Sequence, residues 1–376
     1  MDFPPEISVF LLSLTAPVIL YTINHVPFLQ DPQVMLTIGI TVLTTIFLLA
    51  NLSVKSKKST DPLFYVFALF SFTSVVSITN ALQQDGFIKG FMDFYISKAE
   101  PYLNTAHGVM MSYWDGVIHY CLLLFMIHCM SEGKPFRSLG LLWAGSMITS
   151  QIVVISGVIV GKYGKNLVPA LCRHGPALLL SIWAAVRLFN RPRELSIIPA
   201  DQLQQEQKKT LLSRPVDLLL TLGLLGNMAF NAFRGFVVLE CSLDLCFSYI
   251  YQYEPYMKDS VGFPKVTMLV LLFYVFPLLF ACVYGLHTPG CTWMLDWTLV
   301  LAGAVAQTQW THLGASLHSR TPFTYRIPKD EWRTVVLLNL LTVALPVLLA
   351  LRCYAKQSFF IRVHPEEQTR NGKKNN

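Results

Sequence analysis

The sequence has few charged residues. Only 14% of its 376 residues are Asp, Glu, Lys or Arg, whereas about a quarter of the residues in a soluble protein are charged. Long apolar runs take their place, and the mean hydropathy is +0.48. This shortage excludes an ordinary soluble domain, and no basic patch interleaved with stacking aromatics supports nucleic-acid binding. We expect an all-α polytopic membrane protein.

Several chemical signatures are also missing. The sequence has no metal-ligand spacing, phosphate-binding loop or nucleophile motif, so it predicts neither a metal nor a cofactor. The first apolar stretch lacks the basic residues that precede the core of a cleavable signal peptide. The eight cysteines form no disulfide framework, because only Cys241 and Cys246 share a predicted lumenal loop. A bridge between these two and a pair of free thiols are both open.

The apolar runs predict about ten transmembrane helices, each near the ~20 residues that a bilayer requires. They lie at roughly 7–26, 34–54, 62–82, 107–128, 138–158, 168–188, 216–237, 265–286, 296–317 and 333–352. Lysine and arginine are concentrated in the loops after the second, fourth and sixth helices. By the positive-inside rule these loops and both termini are cytosolic.

Much of the chain is repeated. The matching elements are Asp61-Pro62-Leu63 with Arg214-Pro215-Val216, Glu100-Pro101-Tyr102 with Glu254-Pro255-Tyr256, and the Ala-Gly pairs at 144–145 and 302–303 with Gln151 and Gln309. Their offsets are 153, 154 and 158 residues, so one small insertion reconciles them. A repeat of this length is a whole helix bundle. Such pairs usually place a small-molecule site within or between the repeats.

The repeat predicts five segments. Residues 1–59 contain two leading transmembrane helices, 60–187 and 215–352 form two four-helix units, 188–214 is a cytosolic linker, and 353–376 is a cytosolic tail. The tail ends with Lys373 and Lys374 four and three residues from the terminus. This is the dilysine pattern that a retrieval coat recognises, and it predicts residence in the endoplasmic reticulum.

Asp115 and His119 are the leading candidates for chemistry. Their i, i+4 spacing puts both side chains on one face of the fourth predicted helix. A carboxylate at that depth is costly, so it should face a partner or a wet cavity. Together the two groups could transfer a proton, as a catalytic pair or within a ligand site, or they could join helices by hydrogen bonding.

Polar residues in the fifth and ninth predicted helices form a second candidate site. Gln151 and Gln309 occupy matching positions, and Gln309, His312 and Ser316 follow one another at helical spacing. An amide can hydrogen-bond a sterol hydroxyl, but it can equally join two helices.

Three further residue types have simpler interpretations. Each Glu-Pro-Tyr fits a helix start, with proline in the first turn and tyrosine in the headgroup belt. Arg234 is expected to extend to the membrane interface, with pairing to Asp115 of the other repeat as the alternative. Asp296 is expected to be interfacial.

The chain resembles the transmembrane 6 superfamily. The resemblance covers nearly the whole length and includes Tyr113-Trp114-Asp115-Gly116, the run from Tyr249 to Tyr256, Pro289-Gly290-Cys291 and His312-Leu313-Gly314-Ala315-Ser316. It implies two EXPERA domains similar to emopamil-binding protein, a sterol isomerase, and to the sigma-2 receptor. It also implies that Asp115 corresponds to one of the two isomerase acids and Trp183 to a tryptophan near the sterol, while the second acid is missing.

The leading hypothesis is a lipid- or sterol-binding protein without enzymatic activity. The resemblance implies residence in the endoplasmic reticulum and its intermediate compartment with the Golgi. It also implies a role in liver lipid metabolism, in secretion of triglyceride-rich lipoproteins and in lipid-droplet content, with lipoprotein-assembly proteins as partners. The alternative is a Δ8–Δ7 sterol isomerase that uses Asp115 and His119. A lipid transporter or scramblase is a weaker alternative.

Overall fold

The computed structural model describes residues 4–54 and 61–362. This part of the chain contains helices and no strand. The α-helices are α1 (Pro5–Ser13), α2 (Ala16–His25), α3 (Pro32–Val54), α4 (Pro62–Gln84), α5 (Asp93–Lys98), α6 (Ala106–Tyr113), α7 (Tyr120–Ser131), α8 (Arg137–Val160), α9 (Leu167–Phe189), α10 (Ala200–Gln207), α11 (Pro215–Val238), α12 (Asp244–Gln252), α13 (Phe263–Val270), α14 (Phe276–His287), α15 (Met294–Leu317) and α16 (Trp332–Ala355).

Eight helical stretches of the described residues are long and apolar enough to cross a membrane. They are α1–α2, α4, α6–α7, α8, α9, α11, α13–α14 and α16. The expectation of an all-α polytopic membrane protein is therefore confirmed. The long helices α3 and α15 lie at the two other positions where the sequence predicts a span. The retrieval signal at Lys373 and Lys374 and the basic loop at 55–60 fall outside the described residues.

The order of helices repeats along the chain. α4, α6–α7, α8 and α9 are followed by α11, α13–α14, α15 and α16 in the same sequence. In each set the second member contains a π-helical turn, Trp114–His119 in the first and Leu271–Val275 in the second. The leading helices α1 to α3 pack against α4 and α7.

The repeated Ala-Gly pairs lie where the two sets of helices cross. α8 packs more extensively against α15 than against any other helix. A Cβ atom at Gly145 would overlap the backbone of Val300, and one at Gly303 would overlap the Leu142 carbonyl. Small residues at a membrane helix interface allow backbones to approach in this way. The matching glycines therefore set the closeness of the central crossing.

Ion pairs hold the end of the bundle that the charge pattern assigns to the cytosol. Arg137 at the start of α8 pairs with Asp296, and Arg193 Nε donates to the same carboxylate at 2.6 Å. Asp296 lies at this end, as expected, but its side chain is 1% exposed and pairs within the bundle instead of facing the headgroups. Asp217 accepts from Arg214 and from Arg352 Nε, the latter at 2.7 Å.

The predicted linker and lumenal loop both contain short helices. α10 lies in the linker, and its Leu203 is buried. The sequence predicts only a cytosolic linker here, and the structure has a short helix within it. In the loop that precedes the second Glu-Pro-Tyr, Cys241 and Cys246 form a disulfide at the start of α12. We call the end of the bundle that carries α5 and α12 the lumenal end, after the predicted topology.

Candidate functional site

The two Glu-Pro-Tyr motifs have almost the same backbone. Glu100 has φ −132° and ψ 64°, and Glu254 has φ −129° and ψ 65°. Each precedes a 3-10 turn with proline in its first positions, as the sequence predicts. The tyrosines, however, do not lie in the headgroup belt, since Tyr102 and Tyr256 are each only 1% exposed. The repeated motif therefore directs polar groups into the bundle.

Glu254 is the centre of a buried polar cluster in the second repeat. Arg234 donates from Nε to Oε2 and from Nη2 to Oε1, both at 2.9 Å. Asn339 Nδ2 donates to Oε1 at 3.0 Å, and the Tyr249 hydroxyl donates to Oε2 at 2.8 Å. The expectation that Arg234 reaches the membrane interface is wrong: its side chain is fully buried. The buried Glu254 carboxylate binds the Arg234 guanidinium through two hydrogen bonds, the paired geometry that suits these two groups.

This cluster keeps Glu254 ionised. Burial alone would favour the neutral acid, but Arg234, His312 and Asn339 outweigh it and hold the pKa of Glu254 well below its usual range. Burial and the neighbouring carboxylate raise the pKa of Tyr249, so its hydroxyl stays protonated and donates. Glu254 is therefore a fixed acceptor and a poor proton donor.

Glu100 forms a related cluster in the first repeat with different partners. Arg173 Nη1 donates to Oε2 at 2.5 Å, and the Tyr102 hydroxyl donates to Oε1 at 2.7 Å. His174 lies between the Tyr102 hydroxyl, at 2.9 Å, and Gln151 Oε1, at 2.5 Å. Gln151 is thus part of the packing around Glu100.

Four side chains between the repeats have buried polar atoms without a hydrogen-bond partner among the described residues. These atoms are both ring nitrogens of His107, the Tyr256 hydroxyl, both amide atoms of Gln309 and Nδ1 of His312. We call these residues the inter-repeat polar cluster. Each is 2% exposed or less.

Contacts across the repeats hold the inter-repeat polar cluster in place. The His107 ring on α6 stacks on Phe263 of α13, with centroids 4.6 Å apart. The rings of Tyr256 and His312 are 5.5 Å apart. His312 Nε2 is 3.5 Å from Glu254 Oε1, which leaves Nδ1 as the ring nitrogen without a polar contact among the described residues. Buried polar atoms normally find a partner, so this cluster is suited to a ligand hydroxyl or to water.

Asp115 and His119 form a separate polar chain in the π-helical turn of the first repeat. Asp115 Oδ1 is 2.9 Å from His119 Nδ1, and His119 Nε2 is 2.7 Å from Ser146 Oγ. Trp114 Nε1 donates to Ser146 Oγ at 2.9 Å. π-helical turns often occur at functional sites. The corresponding turn in the second repeat, Leu271–Val275, has no acid or histidine.

The structure distributes the predicted site residues among these groups. Asp115 and His119 lie together, Gln309 and His312 lie together, and Gln151 contacts the Glu100 cluster. Trp183 is in none of them, because it is 40% exposed on the outer side of α9 beneath the Arg187 guanidinium.

Sequence reasoning missed the two glutamate centres, Arg173, His174, His107 and Ser146. Arg173 and His174 are adjacent ionisable residues inside a predicted span, and they were a usable signal of a buried polar site, since charges in a membrane need partners. The other signal was the exact repetition of Glu-Pro-Tyr.

Comparison with known proteins is consistent with this structure. Residues 15–199 match the family described as transmembrane 6 superfamily member 2-like, transmembrane domain. Proteins named transmembrane 6 superfamily member 2 from Homo sapiens, Rattus norvegicus and Mus musculus are each 45% identical to the chain. The alignments cover 98%, 97% and 96% of this chain and the same shares of those proteins. No solved structure matches.

Proposed function

Since the chain belongs to the transmembrane 6 superfamily member 2-like family, we propose that it is a lipid-binding protein of the endoplasmic reticulum and its intermediate compartment with the Golgi. In this proposal it regulates liver lipid metabolism, the secretion of triglyceride-rich lipoproteins and lipid-droplet content. Its partners are membrane lipids, a sterol or neutral lipid ligand, proteins of lipoprotein assembly, and the retrieval coat that recognises Lys373 and Lys374.

The inter-repeat polar cluster is the observation that carries the binding proposal. His107, Tyr256, Gln309 and His312 offer donors and acceptors without a partner among the described residues, within apolar surroundings. A lipid with one hydroxyl, such as a sterol, has the chemistry to pair with such a group while its apolar body contacts apolar side chains. Small-molecule sites generally combine apolar walls with a few convergent polar groups.

The glutamate centres favour binding over catalysis. Isomerisation through a carbocation needs a proton donor, whereas Arg234 keeps Glu254 ionised and Arg173 occupies the Glu100 carboxylate in an ion pair. The remaining acid, Asp115, is the candidate proton donor for the alternative function, an isomerase. Its chain through His119 to Ser146 favours a sterol isomerase at the π-helical turn as the second candidate.

Native mass spectrometry with lipidomics on the purified protein tests the proposal. We expect a stoichiometric hydroxyl-bearing lipid in the wild-type protein. We expect at least about a fivefold loss of this lipid in Gln309→Leu, because removing one buried hydrogen bond costs about 1 kcal/mol. Gln202→Leu, at an exposed position of α10, is the matched control and should retain the lipid.

The other outcomes distinguish the alternatives. Loss of the lipid in Asp115→Asn but not in Gln309→Leu would move the site to the first repeat and call for a Δ8–Δ7 isomerase assay. If no lipid copurifies with the wild-type protein above its abundance in the membrane, the binding proposal is wrong.

A further inference from the structure

The short lumenal helix α12 has two different faces. Cys246, Tyr249 and Ile250 point towards the bundle and pack in the core of the second repeat. The opposite side carries the exposed apolar residues Leu243, Leu245, Phe247 and Tyr251 beside the exposed polar residues Ser242, Asp244 and Gln252. Three of the apolar residues follow one another at i, i+4 and i+8, so they form a stripe along the helix.

The first repeat contains the same helix with a polar outer face. α5 matches α12 at an offset of 154 residues, which pairs Met92 with Cys246, Tyr95 with Tyr249 and Ile96 with Ile250 on the inner side. On the outer side, the exposed positions Lys89, Asp93 and Ser97 of the first repeat match Leu243, Phe247 and Tyr251 of the second.

This contrast distinguishes the inner residues that both repeats share from the outer residues that differ between them. The two helices share tyrosine and isoleucine on the inner side and lead into glutamates with almost the same backbone angles. The first repeat has polar residues at the two matching positions within α5, Asp93 and Ser97, and Lys89 precedes that helix. Asp93 also accepts from Gln83 Nε2 at 2.8 Å. Leu243 and Phe247 are 66% and 65% exposed, so they contribute little to packing within the chain and indicate an external partner.

The position of α12 indicates which partner this is. α11 ends at Val238, only a few residues before α12, and Phe236 and Leu239 at this end are 55% and 49% exposed. The apolar stripe thus continues the lipid-facing side of a membrane helix. Lys258 Nζ lies over the Tyr251 ring, 3.9 Å from its centroid. Tyrosine with lysine is typical of the headgroup region, where an aromatic body and a charged tip are both accommodated.

We propose that α12 is an interfacial anchor whose stripe, Leu243, Phe247 and Tyr251, inserts into the lumenal leaflet of the membrane that the protein spans. An amphipathic helix in this position buries its apolar side at the boundary between headgroups and acyl chains. The Cys241–Cys246 disulfide ties the start of the helix to the end of α11. Tyr249, on the inner side, donates to Glu254 at 2.8 Å. The anchor therefore connects the leaflet surface directly to the buried cluster of the second repeat.

Photocrosslinking in proteoliposomes tests this inference. A benzoylphenylalanine replaces Phe247 in one protein and Asp93, its counterpart in the first repeat, in the control. The liposomes consist of phosphatidylcholine, and products are identified by mass spectrometry. We expect phospholipid adducts on acyl chains at position 247, several-fold more abundant than at position 93. Equal labelling at the two positions, or adducts at 247 mainly with a second copy of the chain, would overturn the proposal.

A stripe exchange gives an independent test. The variant Leu243→Lys/Phe247→Asp/Tyr251→Ser places the first-repeat residues on α12, so we expect it to fold and to keep its melting temperature in detergent. In liposomes, hydrogen exchange of the α12 amides should become several-fold faster than in the wild-type protein, because the helix has lost its lipid contact. Unchanged exchange in the folded variant would contradict an anchor. If the variant melts earlier in detergent too, the stripe serves packing within the chain, and the proposal also fails.

Discussion

At the scale of single residues, the two buried glutamates are tightly constrained. Each carboxylate has both oxygens engaged and an arginine from a neighbouring helix. Taking a carboxylate and a guanidinium out of water is expensive, and only close pairing with further hydrogen bonds offsets that cost. Tyr249 and Asn339 supply these bonds around Glu254.

The pairing predicts a strong effect of removing one partner. Arg234→Met should lower the free energy of unfolding by about 3–5 kcal/mol, because Glu254 would remain as an uncompensated buried charge. Arg234→Met/Glu254→Gln should recover most of this loss, because no charge is then stranded. Thermal unfolding of the two variants in the same detergent measures the difference. A double variant that is less stable than the single one would show that charge is not the cause.

The acidity of Glu254 predicts how the pair depends on pH. Its pKa is lowered in the folded protein, so the pair adds stability at all pH values above the ordinary glutamate range, near ~4. That contribution is lost only as pH falls through the lower folded value. The stability difference between wild type and the double variant should therefore stay constant from about pH 7 to 5 in melting experiments. A difference that shrinks across this interval would mean that Glu254 takes up its proton near neutrality.

Some of these residues could be predicted and others could not. The spacing of Asp115 and His119 correctly put them on one helix face, since i, i+4 geometry is local. The partners of Glu100 and Glu254 depend on which helices become neighbours. The Glu-Pro-Tyr motif was already explained by a helix start. That explanation gave no reason to expect its glutamate and tyrosine side chains to point into the bundle.

At the scale of helices, the α8–α15 crossing depends on two glycines at matching positions. A methyl group at Gly303 would overlap the Leu142 carbonyl, and a backbone atom cannot move aside as a side-chain end can. Gly226 on α11 offers the matched comparison, because a methyl group there would meet nothing within 4 Å.

We therefore expect the same Gly→Ala substitution to change stability differently at Gly303 and Gly226. Gly303→Ala should destabilise the protein by about 1–3 kcal/mol through overpacking. Gly226→Ala should leave it unchanged or raise its stability by up to about 1 kcal/mol, because alanine favours helix. Melting temperatures in one detergent give both values. Equal shifts for the two variants would contradict a close crossing at Gly303.

The positions of helices were more predictable than their contacts. Apolar runs gave helices at all ten expected places, and eight helical stretches of the described residues are long and apolar enough to cross a membrane. α10 was judged a connector because its sequence is polar, yet it is helical with one buried leucine. Arg234 was placed at the interface because its position near the end of one helix suffices for that prediction. Its actual partner, Glu254, comes from another element, which the local sequence does not indicate.

At the scale of the whole molecule, the two repeats are joined by more than the linker. α8 and α15 cross closely, Arg137 of the first repeat pairs with Asp296 of the second, and Trp310 Nε1 donates to the Met110 carbonyl at 3.0 Å. The inter-repeat polar cluster also takes residues from both. These contacts are distributed from one end of the bundle to the other.

The extent of this interface predicts that the covalent connection is dispensable. Residues 1–197 and 198–376, separated beside the exposed Ile197, should assemble when coexpressed, because helices inserted independently can still pack through their complementary surfaces. Copurification through a tag on one half measures the assembly. Gly303→Ala in the second half should reduce the recovered partner several-fold, and Gly226→Ala should not. Halves that insert into the membrane but fail to copurify would mean that the linker, and not the α8–α15 crossing, holds the two repeats together.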